Sequence, residues 1–215
     1  MSVSDHTPTR GAQIVAGLLL VNQLAAVLCQ FVQGTDPRFP LLYFTVDSAI
    51  AAATVALITL VAPSTPWLQA LRHSVAVGVI ISAVVFMALI APATDTGTWF
   101  QPHDDAWVRI ATVLLHGVAP ALVIVDYMLR TAPMRPLEAA TQAFGWPLTY
   151  LVGMSVLVAV AGQDIIPYPF LSPQAMGWGT VALAIAVLIV LVACCGLALG
   201  TLGRISWARH RRSSK

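Results

Sequence analysis

The sequence predicts an all-α fold: a polytopic integral membrane bundle of six transmembrane helices, with both termini cytoplasmic. Three observations carry this. The chain of 215 residues is 58% hydrophobic and only 9% charged, where soluble domains carry about 25% charged residues. Its apolar residues gather into six stretches of spanning length, roughly 17 to 25 residues each. Its Lys and Arg residues divide unequally between the loops that join those stretches, as expected when basic loops stay in the cytoplasm.

The stretches cover approximately residues 12–32, 41–62, 74–91, 107–129, 146–162 and 177–202. The first is too long for a signal-peptide core, and no small-x-small cleavage site follows it. The second opens with YFTVDS, which sets a threonine, an aspartate and a serine at the start of an apolar run. The third and fifth are the shortest. The fifth is given an earlier start near Leu137, as an amphipathic approach along the membrane surface. The fourth contains LLHGVAP. The sixth ends in a basic cytoplasmic tail, residues 203–215, which holds RISWARHRRSSK. That tail is read as an anchor to anionic lipid rather than as a nucleic-acid site.

With the N-terminus inside, Arg38 and Arg109 alone among the 11 Lys and Arg residues fall outside. Asp36, Asp95, Asp104, Asp105 and Asp164 fall on that outer side. The inner loops PSTPWLQALRH and RTAPMRPLEAATQAFG have the Pro, Ser and Thr content of turns at helix ends. Residues 1–215 thus form one membrane domain without a soluble module. Small residues such as Ala51, Ala52, Ala53 and Gly78 let helices approach closely. Cys29, Cys194 and Cys195 are read as small apolar packing residues, since no CxxC or disulfide framework is present.

Ionisable groups within a span are costly and are functional candidates by default. Three are predicted: Asp47 in the second helix, and His116 and Asp126 in the fourth. Asn22, Gln23, Gln30, Thr45, Ser48, Thr149 and Tyr150 join them as uncharged polar groups. Thr45 and Asp47 lie about 6 to 9 Å below the outer end of their helix, and His116 about 13 Å below the end of its own, at 1.5 Å per residue. One pocket in the outer half of the bundle is therefore expected to gather several of them. Asp126 is about 15 Å deeper than His116. It is read as an exposed inner ion pair with Arg130, one turn on, and is left out of the site.

Pro120 lacks an N–H and cannot bond the carbonyl of His116, so the helix is expected to bend there. Such a bend is tolerated at membrane depth where protein or a water-lined cavity covers it. This favours a cavity beside His116; the alternative is a histidine whose hydrogen bonds hold helices together. Thr45 and Ser48 share one helix face, and Tyr43 and Asp47 share another. Asp47 is open to three readings: orienting His116, pairing with Arg109, or binding a neighbouring helix. His103, Asp104 and Asp105 in WFQPHDDAW superficially resemble metal ligands, but a solvated loop is the better reading. GQDIIPYPFLSP, with prolines on either side of Tyr168, suits an interface belt or a cap over a pocket.

Three motifs carry a family resemblance. YFTVDSAIAAATVAL resembles the second-helix signature of the six-helix membrane proteins that include androgen-induced gene 1 protein and androgen-dependent TFPI-regulating protein. LLHGVAPALVIVDY resembles their histidine segment, and WPLTYLVGMSVLVAVAGQDIIPYPFL their fifth helix and the YPF loop after it. The bacterial branch, the Pr6Pr family, is the most similar. The animal members are threonine hydrolases of fatty acid esters of hydroxy fatty acids. The resemblance therefore implies Thr45 as nucleophile, His116 as its general base, and a lipid-like ester drawn from the membrane as substrate. This chain has Asp47 where an amide is usual in that branch and Ala49 where asparagine is usual.

A threonine hydroxyl needs such a base within hydrogen-bond reach. A third group normally orients the imidazole, and Asp47 is the acidic candidate. An oxyanion donor is also required, for which Asn22, Tyr150 and Tyr168 are candidates. No cofactor or metal is expected, because a zinc hydrolase needs about three protein ligands. Membrane lipids are the expected partners, and nucleic acid is not. The competing reading is a non-catalytic carrier or receptor with a polar pocket around Asp47 and His116. The Ala- and Val-rich makeup and compact loops point to a bacterial inner membrane.

Overall fold

A computed structural model describes residues 9–62, 67–92, 105–130 and 133–213. Within them are six spans long and apolar enough to cross a membrane, so the predicted class holds. The first two spans are α1, Arg10–Val32, and α2, Phe44–Val61. The third is α3, Leu68–Val85, prolonged by a π-helical turn at Phe86–Ile90. The fourth joins α4, Ala106–Val113, to α5, Ala119–Arg130, through a π-helical turn at Leu114–Val118. The fifth joins α6, Pro136–Gln142, to α7, Gly145–Ala161. The sixth is α8, Pro173–Ser213, kinked at Gly177.

Local chemistry accounts for several of these limits. The Thr9 hydroxyl accepts from the Ala12 amide and caps α1. The Asp105 carboxylate accepts from the Val108 amide at 2.8 Å and caps α4. Each satisfies one of the amides left free in a first turn. Where a bend is expected at His116, the helix takes a wide π turn before Pro120, in which the Ala119 amide donates to the Leu114 carbonyl five residues back. Gly162 and Gly177, at φ of 90° and 75°, are the positive-φ positions among the described residues. They bracket the segment that joins α7 to α8.

In lipid the hydrophobic effect does not hold helices together; close packing and interhelical hydrogen bonds do. α1 lies against α2, α4 and α5, while α3 runs between α2, α5, α7 and α8. At Gly196 an added Cβ would lie 2.5 Å from the Ala143 Cβ and 2.8 Å from the Ala139 carbonyl, so α8 crosses the start of the fifth span in close contact. Ala139 and Ala143 are consequently buried. The earlier start near Leu137 is met by α6, which is amphipathic: Ala139 packs against α8 while Leu137 stays exposed.

The polar interior departs most from expectation. α3 begins at Leu68, not residue 74, and takes Arg72 and His73 into the bundle. Asp126, expected in an exposed pair, is only 4% exposed. Its pair with Arg130 is present, at 2.8 Å, and is buried. The Arg72 guanidinium approaches the same carboxylate at 3.5 Å and donates to the Thr59 hydroxyl at 2.8 Å. Thr59 donates to the Val55 carbonyl, and Arg130 also donates to the Ala12 carbonyl. α1, α2, α3 and α5 are thereby laced together. Beside them His73 bonds the Tyr127 hydroxyl and the Ala139 carbonyl, both at 2.8 Å. A charge that finds its partners on other helices need not end a span.

Two predictions follow from this packing. Asp126→Ala leaves two buried guanidinium groups sharing no carboxylate and should cost about 3–5 kcal/mol, read as a lowered thermal midpoint in detergent. Gly196→Val should separate α6 from α8 and cost about 1–3 kcal/mol, whereas Gly17→Ala, which meets nothing within 4 Å, should leave the midpoint unchanged.

Candidate functional site

The start of α2 has an unusual local structure. Pro40 opens a short 3-10 turn, Pro40–Leu42, and the Tyr43 side chain does not cap the helix that follows. The first-turn amides of α2 must then be met from elsewhere. The segment joining α7 to α8 supplies the group. Tyr168 is buried at 9% exposure, and its hydroxyl lies beside the Phe44 and Thr45 amides and the Thr45 side chain. Burial pushes this phenol up to about 12, while the neighbouring hydroxyl and amides act in the opposite sense. Tyr168 is therefore a neutral phenol at physiological pH.

This segment is fixed at several points. Arg38 donates to the Pro167 carbonyl at 3.0 Å. The Tyr43 and Tyr168 rings meet edge to face at 6.0 Å, and Tyr168 stacks on Phe170 at 5.4 Å. Tyr43 in turn donates to the Asp36 carboxylate at 2.6 Å. Tyr150 donates to the Leu42 carbonyl at 2.8 Å and packs edge to face on Phe44.

Beneath this aromatic cap lies a cavity of about 130 Å³. Its walls come from the α2 start, the second half of α3, α7, the cap and α8. They are apolar apart from Thr45, Ser82, Tyr150 and Tyr168. The Ser82 hydroxyl is spent on the Val79 carbonyl and that of Tyr150 on Leu42. The polar end of the cavity is thus Thr45 with Tyr168. Between α7 and α8 the walls include Leu148, Leu151, Ile185 and Ile189, each exposed on its outer side. The cavity opens sideways there, on surface that a bilayer would cover.

Thr45 differs from other threonines of the bundle. Thr54, Thr59, Thr149 and Thr201 donate to the carbonyl four residues back, as is usual in a helix interior. Thr45 is the second residue of α2 and makes no such bond; its hydroxyl lies at the cavity beside that of Tyr168.

The remaining expected site residues separate from Thr45. His116 does not line the cavity. Its ring stacks on Phe86 with centroids 3.9 Å apart, and its buried Nδ1 makes no hydrogen bond. Among the described residues no hydrogen bond joins it to Thr45. No hydrogen bond or ion pair among the described residues joins Asp47 to His116, to Arg109 or to a neighbouring helix. Ser48 accepts from the Trp146 indole at 2.9 Å, tying α2 to α7. Asn22 donates to the Leu114 carbonyl at 3.2 Å and braces the π turn. Gln23 is fully buried with neither amide atom paired. His103 and Asp104 lie outside the described residues. Asp105 is the α4 cap, and no cluster of three metal-ligating side chains occurs among the described residues.

The α3, α7 and α8 walls escaped the reading of polar residues because their side chains are ordinary Ile, Leu, Val and Phe. The one sequence signal was the proline-flanked Tyr168.

Tyr150→Phe should cost about 1–3 kcal/mol, because the buried Leu42 carbonyl loses its donor. Thr45→Ala should shift the thermal midpoint by the equivalent of less than about 1 kcal/mol, since it loses its contact with the Tyr168 hydroxyl but leaves no helix carbonyl without its donor. Equal losses would show that Thr45 is a structural residue. No family model, curated protein or solved structure matches the chain.

Proposed function

We propose that this protein holds the acyl chain of a lipid-like ester in the lateral cavity and cleaves it with Thr45, as an intramembrane threonine hydrolase. One observation carries the reading: a threonine hydroxyl not spent on its own helix sits beside the Tyr168 phenol at the polar end of an otherwise apolar cavity. The chemistry is balanced without a cofactor. The Thr45 oxygen attacks the ester carbonyl, the hydroxyl proton passes to a base, and the alcohol leaves. Water then releases the acid from the acyl-threonine. The α2 amides and the Tyr168 phenol supply donors for the carbonyl oxygen as charge develops on it.

His116 is the base in this reading, on the resemblance of LLHGVAP to the histidine segment of the threonine hydrolases. It must turn out of its stack with Phe86 to reach Thr45, and the π-helical turn that carries it is a segment where such a shift is affordable. Membership of the bacterial Pr6Pr branch and a bacterial inner membrane, with the Arg72 and Arg130 end cytoplasmic, complete the proposal.

The separation of Thr45 from His116 favours a second reading: a non-catalytic carrier of the same amphiphile. Ester hydrolysis by the purified protein in lipid nanodiscs decides between them. Under the hydrolase reading, Thr45→Ala and His116→Ala should each lower turnover at least about 100-fold while still binding a fluorescent acyl probe. A folded parent that binds the probe and turns over no ester is a carrier.

A further inference from the structure

The polar end of the cavity is rich in donors. The Tyr168 phenol and the Thr45 hydroxyl line it, at the N-terminus of α2. Such a set accepts an ester carbonyl or a carboxylate alike, and a helix N-terminus by itself prefers the anion. The charged groups around it decide which head is held.

Asp47 sits in the first turn of α2. It is one turn on from Phe44, which lines the cavity and packs on Tyr150, and residues three apart share a helix face. Its carboxylate acts electrostatically on the Tyr168 hydroxyl. No hydrogen bond or ion pair among the described residues neutralises it, and it is only half-buried. Its charge opposes the partial positive charge of the α2 N-terminus. Arg38, the cation that ties down the cap, is exposed, engaged with Pro167, and flanked by Asp36, whose carboxylate accepts from the Arg38 amide and from Tyr43. Asp164 adds a further acid on the cap.

Resting on the cavity reading above, we propose that Asp47 makes this site selective for neutral acceptor heads, so that an ester-headed single-chain lipid is held and a free fatty acid is expelled. The donors remain for a neutral carbonyl, while an ionised carboxylate meets the field of a second negative charge one helical turn from the lining Phe44, where like charges are poorly screened. In the hydrolase reading the same charge clears the acid product: cleavage converts a neutral head into an anion exactly where Asp47 repels it. Selectivity does not require Thr45 to be a nucleophile, so it holds for a carrier as well.

The test is displacement of a fluorescent acyl probe from the full chain in uncharged nanodiscs at about pH 8, where a free carboxylate is ionised. The competitors are dodecanoate and the methyl ketone of the same chain, which cannot be hydrolysed. The parent should bind the ketone at least about tenfold more tightly. Asp47→Asn should bring the two within about threefold by strengthening dodecanoate, with the ketone unchanged. Asp47→Ser provides the same comparison should the amide variant fold poorly. Equal affinities in the parent, or a ratio unmoved in both variants, overturn the proposal. Failure of both competitors to displace the probe overturns it together with the cavity reading. Ester turnover, measured separately, decides the hydrolase reading whichever way the ratio falls.

Discussion

A buried carboxylate shared by two arginines sets the frame on which the rest of this structure depends. Arg72, Asp126 and Arg130 are almost wholly removed from solvent. An unpaired charge at such a position costs several kcal/mol, so each group needs its partners in a fixed geometry. Those partners sit on different helices. Arg72 reaches Thr59 on α2, Arg130 reaches Ala12 on α1, and both reach Asp126 on α5. The arrangement fixes the level of α3 relative to three neighbours. α3 then carries Ile81, Ser82 and Val85 to the far end, where they form one wall of the cavity.

The two ends of the bundle solve opposite problems. At the arginine end, helices are drawn together: Gly196 and Gly200 meet Ala143 and Ala139 at distances that no larger residue would fit. At the tyrosine end, α7 and α8 carry apolar side chains exposed on their outer faces and leave a cavity between them. Space there is closed by a short aromatic segment with glycines of positive φ on either side. Close packing at one end lets the bundle keep an apolar cavity at the other without loosening.

The π-helical turns at Phe86–Ile90 and Leu114–Val118 lie where the candidate chemistry must be assembled. Phe86 opens the first and His116 sits at the centre of the second, and their rings stack. A π turn leaves a helix less regular and is common at functional sites. The stack holds the imidazole away from Thr45, and the buried Nδ1 without a partner is the cost of that arrangement.

Composition by itself determined the fold class. A chain with so few charges and six apolar runs has no soluble alternative, and hydropathy reports span number because a backbone in lipid must bond to itself. Pro120 marked a disturbed helix, and the YFTVDS and YPF motifs marked the two segments that meet at the cavity head. Tertiary structure decided the rest. Arg72 and His73 lie in the interior because their partners come from other helices, and hydropathy scores them as if they were alone. The Asp126–Arg130 pair was legible as an i, i+4 contact, but its burial was not, since burial depends on what packs over it. Asn22, Ser48 and Tyr150 turned out to be braces between helices, each spent on a partner 92 to 108 residues away. Thr45 keeps its hydroxyl off its own helix and beside Tyr168 because α2 begins one residue before it, after the turn at Pro40. A side chain's chemistry can be read from its letter, but whether it is left available is settled by the neighbours that folding brings to it.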